Sequence, residues 1–216
     1  MSSSTGSLSF EEIPALLRGD PRRLGGTGEN WGVRRALGCV AVICVGAGLY
    51  GAAMGSWRSP VQAGFNLVKF PLLLLSALIC LPSLYIFSCL GGSQARLLEV
   101  AGLVAGLLLL MTILLIGFAP VAWIFSQSTQ SIAAMGALHL AFWCISTCFS
   151  VRFLNAGFAQ RAGSGDGVKV WVVIFVLVML QMTTALRPLV GTADTFLPVE
   201  KKCFVAHWIE TLRRGK

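Results

Sequence analysis

Acidic residues are scarce in this chain: 216 residues hold 9 Asp and Glu against 17 Lys and Arg, and none of the nine falls inside its five long apolar runs. That absence argues against a proton pump with a carboxylate relay, which needs an ionisable acid at depth. Histidine is scarcer still. Of two residues, only His139 lies within an apolar run. No HExxH, GxSxG or P-loop pattern occurs, and the glycines of AGSGDG lack the spacing and the preceding strand of a phosphate cradle. The sequence therefore assigns no catalytic residue, no cofactor and no metal, and the expected protein is not an enzyme. Charged residues of both signs make up 12% of the chain, 56% is hydrophobic and the mean hydropathy is +0.78. Those values exclude an ordinary soluble domain and point to a polytopic membrane protein. The net charge of +8 is dispersed beside the apolar runs. It fits topology signals and anionic headgroups, and no nucleic acid partner is expected.

Six of the seven cysteines lie in apolar runs (Cys39, Cys44, Cys80, Cys89, Cys144, Cys148). There they act as small hydrophobes, and no disulfide framework is implied. Cys144 and Cys148 share a helix face, but no matching pair exists and His139 turns away from them, so they make no metal site. Cys203 and His207 stand one turn apart without a third group, which leaves that dyad without a mechanism.

What is present is a succession of membrane spans. Phe70 to Leu90 runs 21 residues without a charge, and about 20 helical residues cross a bilayer core. Pro71 reads as a first-turn proline, whereas Pro82 lies inside the run and is expected to free a carbonyl near Leu78, with Ser83 and Tyr85 turned to neighbouring helices. Val100 to Val151 holds 52 residues without one charge, which makes two spans broken at SQSTQS. Pro120 and Trp123 suggest that the first of these is kinked or ends early. The fold expected is an all-α bundle of five transmembrane helices over residues 34–190, with spans at about 36–57, 70–90, 100–125, 132–151 and 170–186. A polar arm (1–33) precedes it and an amphipathic tail (191–216) follows. No cleavable signal is expected, because the first apolar run comes only after about thirty polar residues. Arg58 to Lys69 reads as a short loop.

Both ends offer short interfacial helices. Phe10, Ile13, Leu16 and Leu17 share one face in the arm, and Val205, Trp208, Ile209 and Leu212 share one in the tail. Ala47, Gly51 and Gly55 stand four apart, as do Gly102 and Gly106, so a second helix can come close at each. Tight internal packing is favoured there over a homodimer seam. His139 reads as a neutral histidine bonded to a hydroxyl or carbonyl of a neighbouring helix, with a proton or ligand site as the functional alternative. Arg187 before Pro188 closes the fifth span. It either snorkels to the interface or locks that span to the kinked second one, and Arg187→Ala is expected to loosen the bundle more than Lys69→Ala. Sodium coupling through broken-helix carbonyls is compatible with Pro82, Pro120 and nearby hydroxyls.

Around the first span, Arg18, Arg22, Arg23, Arg34 and Arg35 on one side face Arg58 and Lys69 on the other. This favours a cytoplasmic N-terminus and an external C-terminus. Five spans, a long polar arm, and the segments LYGAAMGSW (Leu49 to Trp57), VKFPLLLLSALICLPSLYIFSCLGG (Val68 to Gly92), GFAPVAWIF (Gly117 to Phe125) and LQMTTALRPLVG (Leu180 to Gly191) together resemble the Ypt/Rab-interacting-protein (Yip) type of five-helix membrane domain and its bacterial relatives. The resemblance implies a non-enzymatic bundle with the same orientation, in the inner membrane if the source is bacterial. The expected function is a membrane scaffold or adaptor that meets lipid and other membrane proteins, or itself, through its arms and small-residue flanks. The alternative is a small oligomeric transporter or channel using the proline-broken second and third spans.

Overall fold

The computed structural model describes residues 33–56, 60–129, 131–159 and 165–186. These form helices α1 (Val33–Gly55), α2 (Pro60–Leu75), α3 (Leu81–Leu90), α4 (Leu97–Ser128), α5 (Ile132–Ala159) and α6 (Gly165–Ala185), with a 3-10 turn (Ser76–Leu78) joining α2 to α3. There is no strand among the described residues. Four stretches are long and apolar enough to cross a membrane: Ala36–Gly55, Pro60–Leu90, Leu97–Ser128 and Ala134–Ala159. α6 contributes a shorter apolar stretch, Gly167–Thr183. The protein is an all-α integral membrane bundle.

The second span differs from its sequence reading in both its start and its break. Pro60 opens α2, since proline at the first helical position loses no hydrogen bond, and the helix then runs without interruption to Leu75 through the expected loop. Pro71 is consequently an interior proline. Pro82 stands in the first turn of α3, directly after the point where the span is interrupted. The helix tightens ahead of it, with Ile79 N donating to Ser76 O (3.0 Å) and Cys80 N to Ala77 O (3.1 Å). The carbonyl that gains outside partners is that of Cys80 rather than one near Leu78. It accepts from Trp171 Nε1 in α6 (2.8 Å) and from Ser83 Oγ (2.7 Å). Gly92, at φ 79°, ends α3 in a Schellman turn closed by Ser93 N to Ser88 O (3.0 Å). α4 begins where the Glu99 carboxylate accepts from Arg96 N (3.0 Å). It passes through Pro120 and ends at Ser128, so Pro120 does not cut that span short.

α1 packs on α2 and α4, α5 packs on α4, and α6 lies along α3 and the 3-10 turn. Two small-residue contacts set these pairings. A Cβ on Gly46 would meet the Thr112 and Ile116 side chains of α4, and one on Gly157 of α5 would meet the Leu103 side chain. The core between the helices is built from Leu73, Leu74, Leu84, Val104, Leu107, Leu108, Met111, Leu115, Phe153 and Trp171, all buried.

Candidate functional site

Tyr50 of α1, Phe70 of α2, Phe118 of α4 and His139, Phe142 and Trp143 of α5 meet in one aromatic layer. The Tyr50 ring stands edge-on to Phe70 (centroids 5.0 Å) and to His139 (5.7 Å). Phe70 in turn meets Trp143 (6.1 Å), and Phe142 stacks on Phe118 (4.6 Å). Within this layer the Tyr50 hydroxyl and His139 Nδ1 share a hydrogen bond of 2.8 Å. The bond leaves a ring nitrogen over. His139 is 4% exposed, and its Nε2 has no partner among the described residues. Whether Tyr50 donates to Nδ1 or accepts from it fixes which nitrogen bears the proton. In either case one hydrogen-bonding atom points into the bundle, at a cost of about 1–3 kcal/mol if nothing meets it.

Two more such atoms share its helix face. The Ser146 and Ser150 hydroxyls are buried without a partner among the described residues. They lie seven and eleven residues beyond His139, hence within about 20° of it on either side of a 3.6-residue helix. Together the three make a polar seam on the buried side of α5.

A second polar group runs along α2. Gln62 Nε2 donates to Asn66 Oδ1 (3.1 Å), and Lys69 Nζ lies 5.7 Å from the centre of the Phe65 ring. Lys69 is 0% exposed, and at the helical rise it stands about 14 Å along α2 from Pro60, within the apolar stretch Pro60–Leu90. The sequence reading placed it in a loop, as the lesser partner in a comparison with Arg187. Among the described residues Lys69 is a buried cation, and Arg187 lies outside them. Gln62, Asn66, Lys69 and Tyr50 were all missed as site residues. The signal available was Ser59-Pro60 as a helix start with no breaker after it, which carries the polar residues 62, 66 and 69 onto one face.

The small-residue flank of α1 is occupied by α2. A Cβ on Gly51 would collide with the Asn66 carbonyl oxygen and come within 2.7 Å of Phe70 Cβ, and one on Gly55 would lie 2.6 Å from the Gln62 carbonyl oxygen. Gly48 sits against the carbonyl of Leu67, the residue one turn before Pro71 and so the carbonyl that proline leaves without its N–H, and Ala47 is buried in the core. The contact is internal packing of one backbone on another. Gly106 is buried and Gly102 half-buried in α4. Tyr85 is half-buried against the core, whereas Pro82 and Pro120 are exposed and lie outside the aromatic layer. Cys144 and Cys148 are exposed, and no group of three metal-ligating side chains occurs among the described residues. Phe10, Ile13, Leu17, Arg187, Trp208 and Leu212 lie outside the described residues. Comparison with protein-family models, with curated proteins and with solved structures finds no match to this chain.

Proposed function

We propose that the protein handles a small polar solute within the membrane, as a transporter or channel, and that the Tyr50–His139 pair is its polar contact. The observation that carries this reading is His139 Nε2, a hydrogen-bonding atom enclosed in an aromatic layer with no protein partner among the described residues. Ionisable groups at depth are expensive, and they mark solute and ion paths more often than they serve packing. The buried seam of Ser146 and Ser150 extends the polar surface along α5. The broken second span adds the discontinuous helix common in transporters. The scaffold alternative drew on the α1 flank as a contact surface. With α2 seated on that flank, its support reduces to the terminal arms. In this reading no chemical step takes place. The N-terminus is cytoplasmic, as the arginines around the first span favour and the Yip-type resemblance implies, and in a bacterial cell the membrane is the inner one.

Solid-supported membrane recordings on proteoliposomes test it, using concentration jumps of chloride, acetate, sodium, potassium and a mixture of neutral amino acids. The expected result is a protein-dependent current or solute uptake for one of these classes, lost in His139→Ala and reduced in Tyr50→Phe. A response to none of them, or one indifferent to both substitutions, would overturn the reading.

A further inference from the structure

A serine or threonine hydroxyl in a helix has a ready acceptor in the carbonyl one turn back. Ser76, Ser83, Ser88, Thr112, Ser126 and Thr183 all use it, donating to the carbonyls of Leu73, Cys80, Tyr85, Leu108, Trp123 and Leu180 at 2.6–2.8 Å. Ser146 and Ser150 of α5 do not. The two residues are 0% and 1% exposed, and their hydroxyls meet no partner among the described residues.

Both positions face α4. Gly157, where a Cβ would strike the Leu103 side chain of that helix, lies seven residues beyond Ser150 and eleven beyond Ser146, so all three fall within about 20° of one line along α5. α4 and α5 run antiparallel, and the pairs Phe118–Phe142 and Leu103–Gly157 fix one register between them. Continued residue for residue, it sets Leu114 at the level of Ser146 and Leu110 at the level of Ser150. Those two side chains are aliphatic. Thr112, between them in the sequence, has committed its hydroxyl to Leu108 O.

Phe142 crosses the same face between His139 and Ser146, three residues beyond the one and four before the other, and stacks on Phe118 (4.6 Å). The serine pair is therefore a polar site of its own, on the other side of that stack from His139. Its chemistry is narrow. Residues 100–151 hold no charged side chain, so neither α4 nor α5 offers a counter-charge there, and an ion buried without one is costly. A hydroxyl both donates and accepts, and what meets it must do the same. Positions one turn apart stand about 5–6 Å from each other at Cβ, a distance that two hydrogen bonds of about 2.8 Å through a single atom span.

We propose that Ser146 and Ser150 form a binding site, between α5 and α4, for one small uncharged molecule that donates and accepts hydrogen bonds and bridges the two hydroxyls. Water has that chemistry and size, and it is the probe. The site is separate from His139 Nε2, and the inference is independent of solute handling there.

Water-edited solid-state NMR of the unaltered protein in lipid bilayers tests it, with serine and threonine labelled by carbon-13 and each signal assigned through its sequence neighbours. Ser146 and Ser150 Cβ should take up polarisation from water at least about threefold faster than Thr112 Cβ, which lies at the same level with its hydroxyl bonded to its own helix. Transfer no faster than to Thr112 would overturn the proposal. Melting in detergent supplies a second readout. Ser146→Ala and Ser150→Ala should each lower the melting temperature by about 2–4 °C, since each removes the bridge and leaves the other hydroxyl bare. The double variant, with no bare hydroxyl left, should melt above both singles. A rise in melting temperature in either single variant, or a double variant that falls by the two single shifts together, contradicts the bridge.

Discussion

Replacing Gly51 with alanine should destabilise the bundle more than any other single methyl group added to α1 away from α2. The new Cβ would overlap the Asn66 carbonyl oxygen, approach Phe70 Cβ to 2.7 Å and lie 3.0 Å from the Asn66 carbonyl carbon. Two of those three atoms are backbone, so no rotamer change relieves the overlap. α2 must move away by about 1 Å, and overpacking of this kind costs about 1–3 kcal/mol. Withdrawal of α2 also loosens the contacts at Gly48 and Gly55, and dispersion is the principal attraction between apolar helices in lipid. At about 2 kcal/mol the melting temperature falls by about 4–8 °C on the scaling for a chain of this size. The control is Gly38→Ala in the same helix, where a Cβ meets nothing within 4 Å. That change should be neutral or stabilise by up to about 1 kcal/mol through helix propensity. Thermal unfolding in detergent, followed by labelling of the buried Cys39 and Cys80 thiols, compares the two. Equal melting of Gly51→Ala and Gly38→Ala would refute the backbone contact. A change in oligomeric state with no change in melting would place the flank at a dimer seam.

Other substitutions separate the remaining contacts. Gly157→Ala should cost less than Gly51→Ala, because its new methyl meets only the Leu103 side chain, which can change rotamer; matched melting curves report the difference. Gly167→Ala faces the Phe87 carbonyl of α3 and should behave like Gly51→Ala, lowering the melting temperature by several degrees (roughly 4–8 °C). Trp171→Phe removes the donor to the Cys80 carbonyl, which keeps the Ser83 hydroxyl and Leu84 N–H as partners. Its cost should therefore stay near about 1 kcal/mol for the bond plus a smaller packing loss, with faster amide exchange at the α2–α3 junction. Tyr50→Phe leaves His139 without its partner and should lower stability by about 1 kcal/mol, measured by the same melts.

Helix existence was legible in the sequence because uncharged runs of this length have no other stable form in a bilayer, and the break at SQSTQS was visible as a cluster of hydroxyls and amides. What escaped was the start of the second span. Lys69 and Asn66 lower the local hydropathy of PVQAGFNLVK enough to suggest a loop, although Pro60 is well placed to open a helix. Once that stretch was given to a loop, Pro71 fell into a first turn and Lys69 onto a surface. The reversal of roles between Pro71 and Pro82 follows from this one shift of boundary. The small-residue spacing of α1 correctly marked a close helix approach, but spacing alone carries no information on which helix approaches. His139 was recognised as a residue to be paired with a neighbouring hydroxyl. That the hydroxyl belongs to Tyr50, 89 positions away, depends on how α1 and α5 are brought together, which no local pattern encodes.

The most direct test of the central claim is nitrogen-15 NMR of His139 in lipid bilayers, using histidine-labelled protein with His207→Gln so that one imidazole is observed. The account expects a single tautomer, an Nδ1 resonance that shifts in Tyr50→Phe, and an Nε2 resonance that moves when the solute giving the membrane current is added. An averaged imidazole signal indifferent to both Tyr50→Phe and every solute would contradict it.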